Sequence, residues 1–189
     1  MDAKNKWNEK YTERLEDKNT PNGSEKLKEF GPYFQGGYAV DLACGLGENS
    51  LYLAQLNYEV TALDISDVAV KHVQEKANLR GLSVQATACD LTKVADLPLK
   101  ENHYDLAMIT NYLDRNLFPI LPKIVKKNGF IFIETFYATP ENTDKNDHMP
   151  EKFKLQPGEL LEFFNNWQIL HYEENEFSGK QMIFARKRK

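Results

Sequence analysis

The pattern of apolar and polar positions changes character at Gly36-Gly37. Before it, Trp7, Tyr11, Leu15, Leu27 and Phe30 are scattered among seven basic and seven acidic side chains in residues 1–30, with a break at Thr20-Pro21-Asn22-Gly23. Such spacing around a Pro-Gly break predicts helical segments, read here as a flap over residues 1–35. Beyond it, short apolar runs alternate with helical stretches. Tyr38-Ala39-Val40-Asp41-Leu42 reads as a strand leading into a glycine-containing turn, and Leu51, Ala54 and Tyr58 place a helix over residues 48–57. Glu59-Val60-Thr61-Ala62-Leu63-Asp64 is a second strand. Ser66 is a natural N-cap for a helix whose apolar face carries Val70, Val73 and Ala77 and which stops near Gly81. Residues 83–88 form a third strand ending at Cys89-Asp90, and residues 104–110 a fourth. A helix carrying Pro122 is predicted over 116–126, and a fifth strand over 129–136.

Strands separated by helices imply right-handed crossovers and a mostly parallel sheet covered on both faces. The end of the chain breaks that rhythm. A helix opening at Pro157-Gly158-Glu159 precedes two strands, 167–173 and 182–188, whose connection around Phe177-Ser178-Gly179 is too short for a helical crossover. The fold class predicted is therefore α/β, doubly wound and Rossmann-like, with an antiparallel C-terminal strand pair. One domain spans residues 1–189. It comprises the flap, a ligand-binding core over 36–136, a polar proline-bounded loop over 137–157 on the substrate side, and a C-terminal helix and strand pair over 158–189.

Composition narrows the class. With 189 residues, 41% of them hydrophobic and 12% aromatic, the chain has material for one core and does not read as disordered. A net charge of −4 supplies no field for phosphate backbones or anionic lipid. The basic run Arg186-Lys187-Arg188-Lys189 reads as a solvated strand end, so no nucleic-acid partner is predicted. No apolar window matches a leader or a bilayer span, and two cysteines, Cys44 and Cys89, support neither a disulfide framework nor a zinc site. A cytoplasmic, metal-free protein with a small-molecule partner is the expectation.

The chemistry concentrates at the carboxyl ends of the first three strands, where open parallel sheets bind ligands. In Val40-Asp41-Leu42-Ala43-Cys44-Gly45-Leu46-Gly47-Glu48, Gly45 and Gly47 allow a sharp turn and a close approach to ligand. Read alone, they make a tight strand-to-helix turn. Asp64, 17 residues after Gly47, is placed to accept hydrogen bonds from both hydroxyls of a ribose, at what the pattern suggests is an exposed strand end. Ile65 packs on an adenine face, and Asp90 beside Leu91 receives its amino group. A dinucleotide fingerprint requires glycine at position 50, where the chain has Ser50, and Asp41 repels phosphate while attracting a cation.

These residues resemble the class I S-adenosylmethionine-dependent methyltransferases. The resemblance rests on Asp41-Leu42-Ala43-Cys44-Gly45-Leu46-Gly47, on Asp64 and Asp90, and on the strand Tyr104-Asp105-Leu106-Ala107-Met108-Ile109-Thr110, and it covers about residues 38–136. Ala43 stands where the family usually has a third glycine. Within that class, Gly47-Glu48-Asn49-Ser50-Leu51-Tyr52-Leu53-Ala54, Glu134-Thr135-Phe136, Leu155-Gln156-Pro157-Gly158-Glu159-Leu160-Leu161 and Trp7-Asn8-Glu9-Lys10-Tyr11 are similar to the tellurite-resistance and thiopurine-type branch.

The resemblance implies transfer of a methyl group to a small acceptor, with a soft sulfur, selenium or tellurium nucleophile suggested by the branch. It implies that Asp41, Gly45 and Gly47 hold the cofactor's amino-acid end, Asp64 the ribose, and Ile65, Asp90 and Leu91 the adenine. Thr110 and Asn111 line the floor near the methyl group, while Trp7 and Tyr11 close the site from above. A thiolate or chalcogen anion needs no strong base, whereas a hydroxyl or amine acceptor does. The candidates for catalysis are Tyr112, Asp114, Arg115, Glu134, Tyr137 and His148, each with a plainer reading as a packing, capping or surface residue. Two other classes share the sheet edge: a nicotinamide-dependent oxidoreductase and a non-catalytic nucleoside-binding module.

Overall fold

In the computed structural model, residues 2–17, 22–139 and 149–188 are described. Their seven strands follow the order β3-β2-β1-β4-β5-β7-β6 in one mixed sheet of an α/β fold. The chain divides into two compact units, residues 1–98 and 99–189.

The first unit holds helix α1 (Ala3–Glu16), helix α2 (Glu25–Glu29), strand β1 (Gly37–Leu42), helix α3 (Glu48–Gln55), strand β2 (Tyr58–Asp64), helix α4 (Asp67–Arg80) and strand β3 (Val84–Ala88). β1 pairs with β2 in parallel register from Gly37↔Tyr58 to Leu42↔Leu63, and β2 pairs with β3 from Val60↔Val84 to Asp64↔Ala88. The last four residues of β1 are buried without alternation, the signature of a strand covered on both faces. Val40, Leu42, Leu53, Ala62, Val73 and Ala77 lie in this core. Ser66 caps α4 by accepting the Ala69 N–H at 3.2 Å, and Gly81 ends that helix in the left-handed region at φ 64°. A cap of this kind is worth about 1 kcal/mol.

The second unit holds strand β4 (Tyr104–Thr110), helix α5 (Leu121–Ile124), strand β5 (Val125–Phe136), helix α6 (Glu159–Phe163), strand β6 (Gln168–Asn175) and strand β7 (Lys180–Arg186). β4 and β5 are parallel, and β7 is antiparallel to both of its neighbours, β5 and β6. Leu106, Met108, Ile131, Ile133, Ile183 and Phe184 are buried here. Phe164 stacks edge-on against Trp167 at 5.8 Å.

One predicted element is corrected. Instead of a helix over 116–126 the chain makes a 3₁₀ turn, Arg115–Leu117, and then the four-residue α5. Pro122 sits in the first turn of α5, where a missing N–H is harmless, and so starts a short helix where an interior proline would have kinked a long one. β5 accordingly begins at Val125, four residues before the predicted start. No helix among the described residues is long and apolar enough to cross a membrane.

Candidate functional site

In the first unit the turn after β1 is built around two buried acids. Asp41 is 0% exposed and Asp64 4%, so the expectation of an exposed strand end at Asp64 does not hold. The following turn and α4 cover it. Asp64 accepts the Gly45 N–H at 2.8 Å on one oxygen and the Ser66 N–H at 2.9 Å on the other, which ties the glycine turn to the start of α4. Burial raises its pKa, while the Ser66, Gly45 and Ile65 N–H groups pull it back. Asp41 accepts the Ser50 hydroxyl at 2.6 Å through Oδ2, and its buried Oδ1 has no hydrogen-bond partner. Burial pushes the Asp41 carboxyl up to about 7, with the Ser50 hydrogen bond opposing and the Asp64 charge adding.

The glycines are required by geometry. At Gly47, φ is 78° and a Cβ would stand 2.4 Å from Val73 Cγ2 on α4, closer than any real contact. At Gly45, φ is 53° and a Cβ would stand 3.0 Å from the Tyr11 hydroxyl oxygen. Ala43 is also left-handed at φ 67°, a conformation costing an L residue about 1–2 kcal/mol.

α1 is pinned to this turn. The Asn8 carboxamide oxygen accepts the Ser66 hydroxyl at 2.6 Å and the Val68 N–H at 3.4 Å, and Lys4 pairs with Asp67 at 2.8 Å. Tyr11, Leu46 and Ala69 form an apolar cluster on which Trp7, Leu15 and Val68 pack. Trp7 stacks on Tyr11 at 5.4 Å. Burial, then the Asp64 charge, raises the Tyr11 phenol pKa. Ile65 is half-buried and Leu91 is buried. Asp90 lies two residues past β3 and takes both the N–H and the hydroxyl of Thr92, which lower its pKa. The Cys44 thiol is driven well above its ordinary value, and that of Cys89 up to about 11, by burial first and then by neighbouring acids. Both are protonated at neutral pH and poor nucleophiles.

In the second unit Thr110 ends β4 and is buried, and Asn111 follows with φ 56°. The Asn111 N–H donates to the Glu134 carbonyl at 2.9 Å, and its carboxamide oxygen accepts from Lys180 Nζ. Tyr112 is half-buried. Asp114 caps the 3₁₀ turn by accepting the Asn116 N–H at 2.9 Å. Arg115 is committed elsewhere: its fork donates to Glu159 at 2.5 and 2.8 Å, and to the carbonyls of Lys152 and Lys154 at 3.1 and 2.9 Å. Tyr137 is 1% exposed in a bridge with Leu155, its phenol pKa raised by burial and then by Glu176 and Glu174. His148 lies outside the described residues. Among the described residues no cluster of three or more His, Cys, Asp or Glu side chains could hold a metal ion.

Three participants escaped the sequence reading. Asn8 lies within Trp7-Asn8-Glu9-Lys10-Tyr11, a motif that assigns it no role of its own. Ser50 was noted only as a missing glycine. Lys180 follows Gly179 at a strand start and carries no local signal; it becomes visible only when β7 pairs with β5.

Comparison with known proteins agrees with this fold. The family described as tellurite resistance protein TehB matches residues 6–181. A relative from Haemophilus influenzae named as a probable S-adenosyl-L-methionine-dependent methyltransferase TehB is 29% identical over 140 residues, 72% of this chain and 48% of the relative. The chain thus spans about half the length of that relative. The crystal structure of TehB from Haemophilus influenzae superposes with a TM-score of 0.77 at 22% identity, covering 93% of this chain and 66% of that one. The magnesium protoporphyrin IX methyltransferase of Synechocystis, solved with bound SAH, gives a TM-score of 0.71 at 15% identity over 97% of both chains.

Proposed function

Because the chain belongs to the family of tellurite resistance protein TehB, matched over residues 6–181, we propose that it transfers a methyl group from S-adenosylmethionine to a small acceptor carrying a soft sulfur, selenium or tellurium nucleophile. The observation that carries this reading is the acid pair at the glycine turn. Asp41 keeps a buried, unpartnered Oδ1. Asp64 holds the turn by backbone N–H groups, and neither acid forms a salt bridge among the described residues. A pyrophosphate would meet repulsion there; a ligand with an ammonium and a sulfonium supplies the missing positive charge. Ser50, in the third-glycine slot of the dinucleotide fingerprint, is occupied by its bond to Asp41, which counts against the nicotinamide alternative.

The residues fit the cofactor as follows. Asp41, Gly45 and Gly47 would take its amino-acid end, with Asp41 Oδ1 gaining a donor. Asp64 retains lone pairs for the ribose hydroxyls while it fixes Gly45. Ile65 and Leu91 would flank the adenine, with Asp90 at its amino group. Trp7 and Tyr11 cover the turn and exclude water. When bound, S-adenosylmethionine supplies an electrophilic methyl on a cationic sulfur. The chain's own task is alignment, since in-line displacement gains most from holding the reactants in place. A phenol whose pKa is raised by burial is a weak proton acceptor at neutral pH, so Tyr137 is a poor base for a hydroxyl or amine acceptor.

Thermal unfolding with S-adenosylmethionine, and separately with NADH, tests this. Saturation near a hundred times Kd stabilises by about 2.7 kcal/mol, a rise of roughly 5–10 °C for this length. A rise with S-adenosylmethionine alone, followed by transfer of labelled methyl to a thiol or selenol, is the expected result. A rise with NADH alone, or none, overturns the reading, and a rise without turnover on an acceptor panel leaves a binding module.

A further inference from the structure

Asp41 lies near the end of β1 and Ser50 in the first turn of α3, with the glycine turn running between them. Both residues are 0% exposed. A buried hydroxyl is costly unless it is hydrogen-bonded, and it has one proton to give. Ser50 gives that proton to Asp41 Oδ2 at 2.6 Å, so a single bond across nine residues closes the turn and fixes the rotation of the carboxylate. The other oxygen, Oδ1, is buried without a hydrogen-bond partner. Asp64 differs, because each of its oxygens already accepts a backbone N–H, from Gly45 on one side and Ser66 on the other. A buried carboxylate oxygen left without a donor is an exception in folded chains and calls for a partner.

We propose that Ser50 is a positioning residue for the cofactor's ammonium: by holding Asp41 through Oδ2, it presents Oδ1 as the oxygen that accepts the ammonium. This deepens the methyl-transfer reading above and rests on it. Ser50 does not touch the cofactor; it acts through Asp41. The same bond favours the ionised carboxylate, whereas burial and the Asp64 charge on β2 push the other way. Of the other titratable groups facing Asp41, the Cys44 thiol in the turn and the Tyr11 phenol on α1 are both raised by burial and stay uncharged from pH 6 to 8. All of these groups belong to residues 1–98.

The test uses the full chain and two ligands that share the adenosine, S-adenosylhomocysteine and 5′-methylthioadenosine, of which the second lacks the amino-acid end. Affinities are read by calorimetry. Ser50→Ala should weaken S-adenosylhomocysteine about tenfold and leave 5′-methylthioadenosine within about twofold. Because Ser50 acts through Asp41, adding Ser50→Ala to Asp41→Asn should not lower the ratio of the two affinities further. Equal weakening of both ligands, or a further fall of the ratio in the double variant, overturns the proposal and leaves Ser50 a structural residue. The wild-type chain supplies a second measurement that needs no variant to fold. Its affinity ratio should rise from pH 6 to 8 as Asp41 ionises, and in Ser50→Ala that rise should move to higher pH. Any effect of Asp64 on the adenosine cancels in the ratio. A flat wild-type profile overturns the proposal, as does a profile that Ser50→Ala leaves in place. If both ligands bind and only the ratio fails to respond, the methyl-transfer reading stands without this role for Ser50; if neither ligand binds the wild-type chain, both fall.

Discussion

The strand ends of the two units carry opposite charge problems. In residues 1–98 the turn after β1 buries two carboxylates and answers them only with N–H groups and one hydroxyl. In residues 99–189 the cations beyond the strand ends are met by acids: Arg115 by Glu159 and two carbonyls, and Lys180 by a carboxamide, a ring and, through space, Glu134. Desolvation shifts a charged group's pKa toward its neutral form, so it raises that of the buried Asp41 and lowers that of the half-buried Lys180, where Glu134 opposes it. The difference teaches that the first unit's acids are left to be met by a positive ligand group, whereas the second unit's cations already face carboxylates of their own, Glu159 at Arg115 and Glu134 at Lys180.

The largest effect that could break this comparison is at Asp41. Its pKa rises from the ordinary 3.8 to about 7 on folding, so the native state binds more protons than the unfolded state across that window. Stability from this group is complete below pH ~4 and falls as pH rises to 7, by at most about 4 kcal/mol. Asp41→Asn should therefore unfold at higher urea than wild type at pH 8, with the gap closing toward pH 4, while binding S-adenosylmethionine more weakly. A pH-independent gap would show that Asp41 is not desolvated as described. Gly47→Ala comes next. Its Cβ collides with Val73 and its φ is positive, so a loss of about 2–3 kcal/mol is expected in urea unfolding. The smallest effect is at Arg115. Its fork is partly exposed, so Arg115→Gln should lower stability by only about 1 kcal/mol and leave the cofactor-induced thermal shift unchanged. Loss of that shift would mean that the second unit's paired cation acts on the first unit's chemistry.

Much of the first unit was legible because its signals are local. Ser66 and Gly81 mark both ends of α4 within the span of that helix, and the run from Asp41 to Gly47 carries turn and chemistry together. Pro122 was misread because a proline in a helical pattern signals either a break or a start, and only the following extended residues decide. The pairings that define the site were hidden by distance along the chain. Asn8 meets Ser66 58 residues away, Arg115 meets Glu159 44 away, and Lys180 meets Asn111 69 away. No periodicity encodes such contacts; they exist once strand register has brought the residues together.

The stacked pair on α1 has an optical consequence. The chain has two tryptophans, and they fall one in each unit, Trp7 in the first and Trp167 in the second. Trp7 lies against Tyr11, with the Lys10 ammonium 4.5 Å from its ring, while Trp167 is buried beside Phe164. Replacing Trp167 with Phe leaves one indole whose emission reports the surroundings of Tyr11 and the glycine turn, and replacing Trp7 leaves one that reports the other unit. Each half of the chemistry thus carries its own fluorophore.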